Sequence, residues 1–176
     1  MVRKAKWKPL ELSLPRKIVN QKQYCVPGGI VEISATTKDL KDAKVVIPTI
    51  SLFNSPIWPV QKNDGSWRMA VDYHKLTQGV TPIAAAVPNV ISLLEQINTS
   101  SGTWYAAIYL VNVFFSIPVH KALKKQFAFS WQGQPYTFTI LPWGHINSPT
   151  LCYNLIWREL DHFSLPQDIT LVHYID

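Results

Sequence analysis

The stretch VQKNDGSWRMAV, residues 60–71, reads as a β-hairpin. Asn63-Asp64-Gly65-Ser66 is its turn, because glycine tolerates positive φ where other residues are strained. Lys62 and Arg68 sit on this hairpin, and two prolines, Pro56 and Pro59, precede it. Pro48, Pro56 and Pro59 favour extended chain over helix for residues 48–60. A second hairpin follows from QFAFSW (126–131) and YTFTIL (136–141), which alternate around Gln132-Gly133-Gln134-Pro135.

Between the hairpins lies WYAAIYLVNVFF, residues 104–115. Trp104 to Leu110 is apolar and β-prone, which predicts a buried strand ending in two aromatics. TTKDLKDA (36–43) predicts a short helix in which Leu40 packs while Asp39 and Lys41 face solvent. Pro82 and Pro88 bracket a loop. NVISLLEQI (89–97) then predicts a helix, with Asn89 as cap and Val90, Leu93, Leu94 and Ile97 on one face. From Ser148 a further helix runs to about His162, with Ser148 as N-cap and Pro149 at its first position. Leu151, Leu155, Ile156 and Leu160 are its apolar positions. DITLVHYID (168–176) predicts a last strand. Helices and strands mixed with hairpins make the fold class α+β.

The 176 residues favour one domain with a sizeable core. Charged residues make up only 16%, against 47% hydrophobic. About 25% charged is usual for a soluble domain, so some apolar surface is left for a partner or for a missing segment. The net charge of +6 is concentrated near the start. Arg3, Lys4, Lys6, Lys8, Arg16, Lys17 and Lys22 face Glu11 alone within residues 1–25, and Gly28–Gly29 close this irregular region. A basic arm suits a phosphate backbone, and equally a solvated terminus. The two cysteines, Cys25 and Cys152, lie far apart and read as free thiols of a reducing compartment. No apolar run reaches membrane-spanning length and no signal peptide is recognised, so the expected location is cytoplasmic or nuclear, not secreted. His145, His162 and His173 have no metal-ligand spacing and read as structural or surface residues.

Four blocks carry more than composition can. SPIWPVQKNDGSWRMAVDY (55–73), WYAAIYLVNVFFSIPV (104–119), FTILPWGHINSPTL (138–151) and VHYID (172–176) occur in this order, linked by PNVISLLEQI. Together they resemble the fingers and palm of a reverse transcriptase, as found in the Pol polyprotein of gammaretrovirus-like endogenous retroviruses. The resemblance runs from about Gly29 to Asp176. It implies a basic irregular segment over 1–28 and a partial reverse transcriptase domain over 29–176, ending inside the Y-x-D-D motif. The implied fold is an α+β right-hand polymerase with fingers and an incomplete palm.

The family's activity is RNA-directed DNA polymerisation, a nucleotidyl transfer. It uses two Mg²⁺ about 3.5–4 Å apart to stabilise the attacking and leaving oxygens. Mg²⁺ takes hard oxygen ligands, which aspartates supply. The resemblance implies one such aspartate in a D-L-x-x-A-F-F block and two in Y-x-D-D. Aligning Phe114-Phe115 with the paired aromatics puts Tyr109 where the first catalytic aspartate stands. A phenol with pKa about 10 is neutral at pH 7 and a poor Mg²⁺ ligand. Asp176 matches the first aspartate of Y-x-D-D and is the implied catalytic and metal residue of a degenerate site; the second aspartate falls beyond the last residue. Trp143, in Leu141-Pro142-Trp143-Gly144, stands where the pattern L-P-Q-G has a nucleotide-contacting glutamine. An indole donates one hydrogen bond and accepts none. Asn112, Val113 and His74 depart where the pattern favours Asp, Ala and Arg.

Other positions match. Lys62 and Arg68 match the cations that hold the triphosphate. Phe114 matches the aromatic that screens the sugar 2′-position, and Gly144 is retained. Asp72 matches a structural or template-adjacent aspartate. The implied partners are an RNA/DNA primer-template and a deoxynucleoside triphosphate, with Mg²⁺ not held productively and association possible through an open palm edge. The family's RNase H activity belongs to a separate domain. The expectation is a polymerase fragment whose catalysis is lost. The alternatives are a weak, non-catalytic nucleic-acid-binding remnant and a retroviral fossil with no selected function.

Overall fold

The computed structural model describes residues 7–10, 12–84, 89–99 and 104–174. Arg3, Lys4, Lys6 and Glu11 of the basic arm, Pro88 of the predicted loop, and Ile175 and Asp176 lie outside them. Helix α1 spans Ile30–Asp42, six residues earlier than the reading of 36–43. Gly29, at φ 73°, is the turn into it, and the Ile33 amide donates to the Gly29 carbonyl at 2.9 Å. Ile33 and Thr37, one turn apart, are buried, and Leu40 continues that face half-buried. Asp39 and Lys41 are exposed, as expected. Lys44 takes the left-handed conformation (φ 57°) and Val45 N–H donates back to the Leu40 carbonyl, which ends the helix.

Strand β1 (Val46–Pro48) follows directly. The expected first hairpin is β2 (Ile57–Gln61) and β3 (Trp67–Val71), paired antiparallel with Val60 opposite Arg68 and Gln61 opposite Trp67. A short helix α2 (His74–Gln78) comes next, its His74 amide bonded at 2.9 Å to Asp72 Oδ1. Helix α3 is Val90–Thr99, and Asn89 Oδ1 accepts from the Ile91 amide at 2.8 Å as a cap should. Two 3₁₀ turns, Val113–Ser116 and Lys124–Phe127, precede β4 (Ala128–Trp131) and β5 (Gln134–Phe138). The second hairpin turns more tightly than read: Gln132 (φ 48°) and Gly133 (φ 78°) form the whole turn, while Gln134 and Pro135 already pair in β5. β5 is the centre of a three-stranded sheet ordered β1-β5-β4. Helix α4 is Ser148–Asp161, ending one residue before the predicted His162.

The chain forms two compact units. One holds the described residues up to Pro82 with Asn112–Ser148, and the other holds Ile83–Val111 with the residues from Pro149. The first contains both sheets, α1 and α2. Ile33, Val46, Ile57, Phe127, Phe129 and Ile140 are fully buried in the chain. Aromatic contacts join them, including Tyr73 edge-on to Phe127 at 5.8 Å and Phe129 against Phe138 at 5.4 Å.

Two expected strands do not form. Trp104–Leu110 carries no secondary structure, and Trp104 is 93% exposed. An apolar run becomes a strand only where another strand meets its backbone groups, and among the described residues none pairs with it. Residues 168–174 likewise form no strand. Of the predicted α3 face, Leu93 is buried and Ile97 half-buried, but Val90 and Leu94 are about half exposed. No helix of the described residues is long and apolar enough to cross a membrane.

Candidate nucleotide-facing site

The first hairpin presents its cations through its turn. Lys62 N–H donates to the Ser66 carbonyl at 2.8 Å, and the Gly65 amide donates to the Lys62 carbonyl at 2.9 Å. Gly65 has φ 81°, which explains the glycine in the turn. Asp64 Oδ1 accepts from the Ser66 amide at 2.9 Å and from Ser66 Oγ at 2.6 Å. These bonds hold the Asp64 carboxyl below its ordinary range, the Ser66 side chain contributing most.

Lys62 and Arg68 then border a cavity of about 360 Å³. Thr36 and Leu40 of α1 form one wall, Trp67–Val71 of β3 another, and Phe115, Phe138, Trp143 and Gly144 close it. Trp143 stacks on Phe115, ring centroids 4.6 Å apart and planes 24° from parallel. Gly144 has φ 81°, so a side chain there would be strained, and its Cβ would sit in contact with the Val71 carbonyl at 3.4 Å.

Four sequence-predicted residues, Lys62, Arg68, Trp143 and Gly144, thus meet at one cavity within one compact unit. Phe114 is half-buried in the 3₁₀ turn and is not among the lining residues; Phe115 beside it is. The resemblance singles out Phe114, but in a 3₁₀ turn neighbours do not take opposite faces as in a strand, and it is Phe115 that reaches the cavity. Trp67 and Phe138 are further lining residues that the pattern did not single out. Tyr109 lies in the other unit, 85% exposed. Asp176 lies outside the described residues. Asp72 is occupied locally: Oδ1 accepts from the His74 amide and Oδ2 from Tyr24 Oη at 3.1 Å.

His145, beside Gly144, is 3% exposed and edge-on to Phe127 at 5.3 Å. Both ring nitrogens are buried, without a hydrogen-bond partner among the described residues. Burial pushes its pKa down from 6.5 to about 4, so the ring is neutral at pH 7. His173 stacks on Tyr153 at 4.5 Å, and burial lowers its pKa as well.

These features give the first compact unit one cavity bordered by two hairpin cations. The model of the family described as reverse transcriptase (RNA-dependent DNA polymerase) matches residues 60–176, and the chain belongs to that family. It is 31% identical to the Gag-Pol polyprotein of walleye dermal sarcoma virus over 88% of this chain and 9% of that polyprotein. It is 34% identical to the Gag-Pol polyprotein of woolly monkey sarcoma virus, over 77% of this chain and 8% of that one. Among solved structures, the foamy viral protease-reverse transcriptase in complex with dsDNA superposes with a TM-score of 0.81 at 28% identity, covering 100% of this chain and 36% of that chain. The same enzyme in complex with RNA/DNA hybrid gives a TM-score of 0.81, covering 23% of that chain. The chain therefore spans about a tenth of the viral polyproteins it matches and carries the α+β fingers and palm architecture of the family.

The reverse transcriptase family works with a divalent metal. The resemblance sets the phenol of Tyr109 at the family's first carboxylate position, and a hard cation favours charged oxygen. Among the described residues no group of three or more His, Cys, Asp or Glu side chains could hold a metal.

Proposed function

We propose that this chain binds the phosphates of nucleotides and nucleic acid through its fingers hairpin without carrying out nucleotidyl transfer. The carrying observation is that Lys62 and Arg68, two cations from one hairpin, open onto the same cavity as Trp143 and Gly144. A lysine ammonium and a forked guanidinium pair well with phosphate oxygens. The reading gains support from the similar solved enzymes, which are complexes with dsDNA and with RNA/DNA hybrid.

Two substitutions oppose transfer. Tyr109 removes a metal-binding carboxylate, and Trp143 replaces an amide with an indole stacked on Phe115. The metal contributes several kcal/mol to the transition state, and about 1.4 kcal/mol is tenfold in rate, so the loss is at least about a thousandfold.

The test has two arms on the same preparation. Primer extension with Mg²⁺ or Mn²⁺ should give no product above background. Fluorescence anisotropy with a labelled primer-template should show binding at low salt that weakens steeply as salt rises. Measurable extension would overturn the loss of catalysis. No binding at low salt, or binding indifferent to salt, would overturn the phosphate reading.

A further inference from the structure

Trp67 opens β3, immediately before Arg68 and opposite Gln61, which precedes Lys62. Its indole lies against the backbone of Gly28 and Gly29. A Cβ built on Gly28 would fall 2.8 Å from Trp67 Cζ2 and 3.2 Å from Cη2; one on Gly29 would fall 2.7 Å from Trp67 Cγ. Real Cβ atoms essentially never come within 3.0 Å of a neighbour. Gly29 needs glycine for its φ of 73° in any case. Gly28 is outside that left-handed region, so the indole, and not the backbone conformation, is what a side chain there would meet.

This contact joins the two elements that flank the cavity. Gly29 leads directly into α1, whose Thr36 and Leu40 line one side, while Trp67–Val71 line another. A second tie lies further along: Thr37 Oγ1 donates to Met69 Sδ at 3.6 Å. Because Gln61 pairs with Trp67 and Val60 with Arg68, a displacement of the Trp67 backbone is transmitted to both strands of the hairpin.

We propose that Gly28, Gly29 and Trp67 form a latch that sets how the β2–β3 hairpin seats on α1, making Trp67 a positioning residue for Lys62 and Arg68. The bare backbone lets the indole seat at full depth. A methyl at Gly28 meets the six-membered part of the indole, which a phenyl ring at position 67 would largely vacate.

The experiment is a double-mutant cycle of Gly28→Ala, Trp67→Phe and the pair. It is read by amide NMR of the Lys62–Arg68 hairpin and by titration with a fluorescent deoxynucleoside triphosphate, both well below the melting midpoint. The ligand arm rests on the phosphate-binding reading above; the NMR arm does not. The latch predicts that Gly28→Ala shifts the Lys62 and Arg68 amide signals and weakens triphosphate binding by about tenfold, within the range that a misplacement of about 1 Å can cost. In the Trp67→Phe background the same alanine should change neither readout. A change from Gly28→Ala that persists undiminished in that background overturns the latch, as does the absence of any shift in the hairpin signals. A wild-type chain that ignores the triphosphate, with hairpin signals that move as predicted, overturns the phosphate reading and leaves the latch standing.

Discussion

Trp143 stacks on Phe115 with ring centroids 4.6 Å apart, and both rings line the cavity that Lys62 and Arg68 border. The resemblance implies a ligand-contacting amide at this position; under the proposed reading the indole found there is instead committed to a neighbouring ring. This contact links the sequence departure at position 143 to a physical consequence inside the cavity.

Trp143→Gln exchanges that stack for an amide. An aromatic pair contributes about 0.5–1.5 kcal/mol beyond its burial, and each kcal/mol moves the melting midpoint of a domain this size by about 2–4 °C. The variant should melt a few degrees lower. It should bind a deoxynucleoside triphosphate about three- to tenfold more tightly, the worth of one hydrogen bond gained. Primer extension should remain absent, since Tyr109 is untouched. Thermal melting and nucleotide titration check the two halves.

Lys62→Ala and Arg68→Ala remove exposed cations. Exposed substitutions of this kind usually change stability by less than about 0.5 kcal/mol. Each should nonetheless weaken primer-template binding and lower the slope of log affinity against log salt by about one. Salt titrations of the two single variants and the double variant measure this. An unchanged slope in both would remove these side chains from the phosphate contact.

His145 makes stability depend on pH. Its folded pKa of about 4 is below the unfolded value of 6.5, so the unfolded chain binds the proton more readily. The contribution is fully present above pH 6.5 and is lost as pH falls from there towards 4. The gap is equivalent to about 3 kcal/mol. His145→Phe keeps a ring against Phe127 while removing two buried, unpartnered nitrogens. It should flatten that part of the pH profile and raise stability at pH 7 by about 1–2 kcal/mol, as urea unfolding across pH would measure.

Gly144→Ala should destabilise the chain. A left-handed φ costs a non-glycine residue about 1–2 kcal/mol, and the new methyl would sit 3.4 Å from the Val71 carbonyl. Because Gly144 and Val71 both line the cavity, the same substitution should weaken triphosphate binding, which a titration below the melting transition separates from the stability loss.

Elements with local causes were legible in the residues alone. The Asn63–Ser66 turn and the Asn89 cap each rest on a few adjacent residues, and the first hairpin and α3 form accordingly; the second hairpin forms where read, though its turn is the shorter Gln132-Gly133. The order of the four blocks was enough to identify the family, and the residue types at Lys62, Arg68, Trp143 and Gly144 were enough to nominate one site. What the sequence could not determine depends on distant partners. Trp104–Leu110 has the composition of a buried strand, yet composition cannot supply the neighbouring strand that would satisfy its backbone. The choice of Phe115 over Phe114 as a wall of the cavity follows from a 3₁₀ turn that periodicity does not reveal. Gly28 and Gly29 read as a simple break in the chain. Only tertiary packing shows that Trp67, almost forty residues on, occupies the space where their side chains would be. Close packing depends on which surfaces meet, and that is fixed when the whole chain has folded.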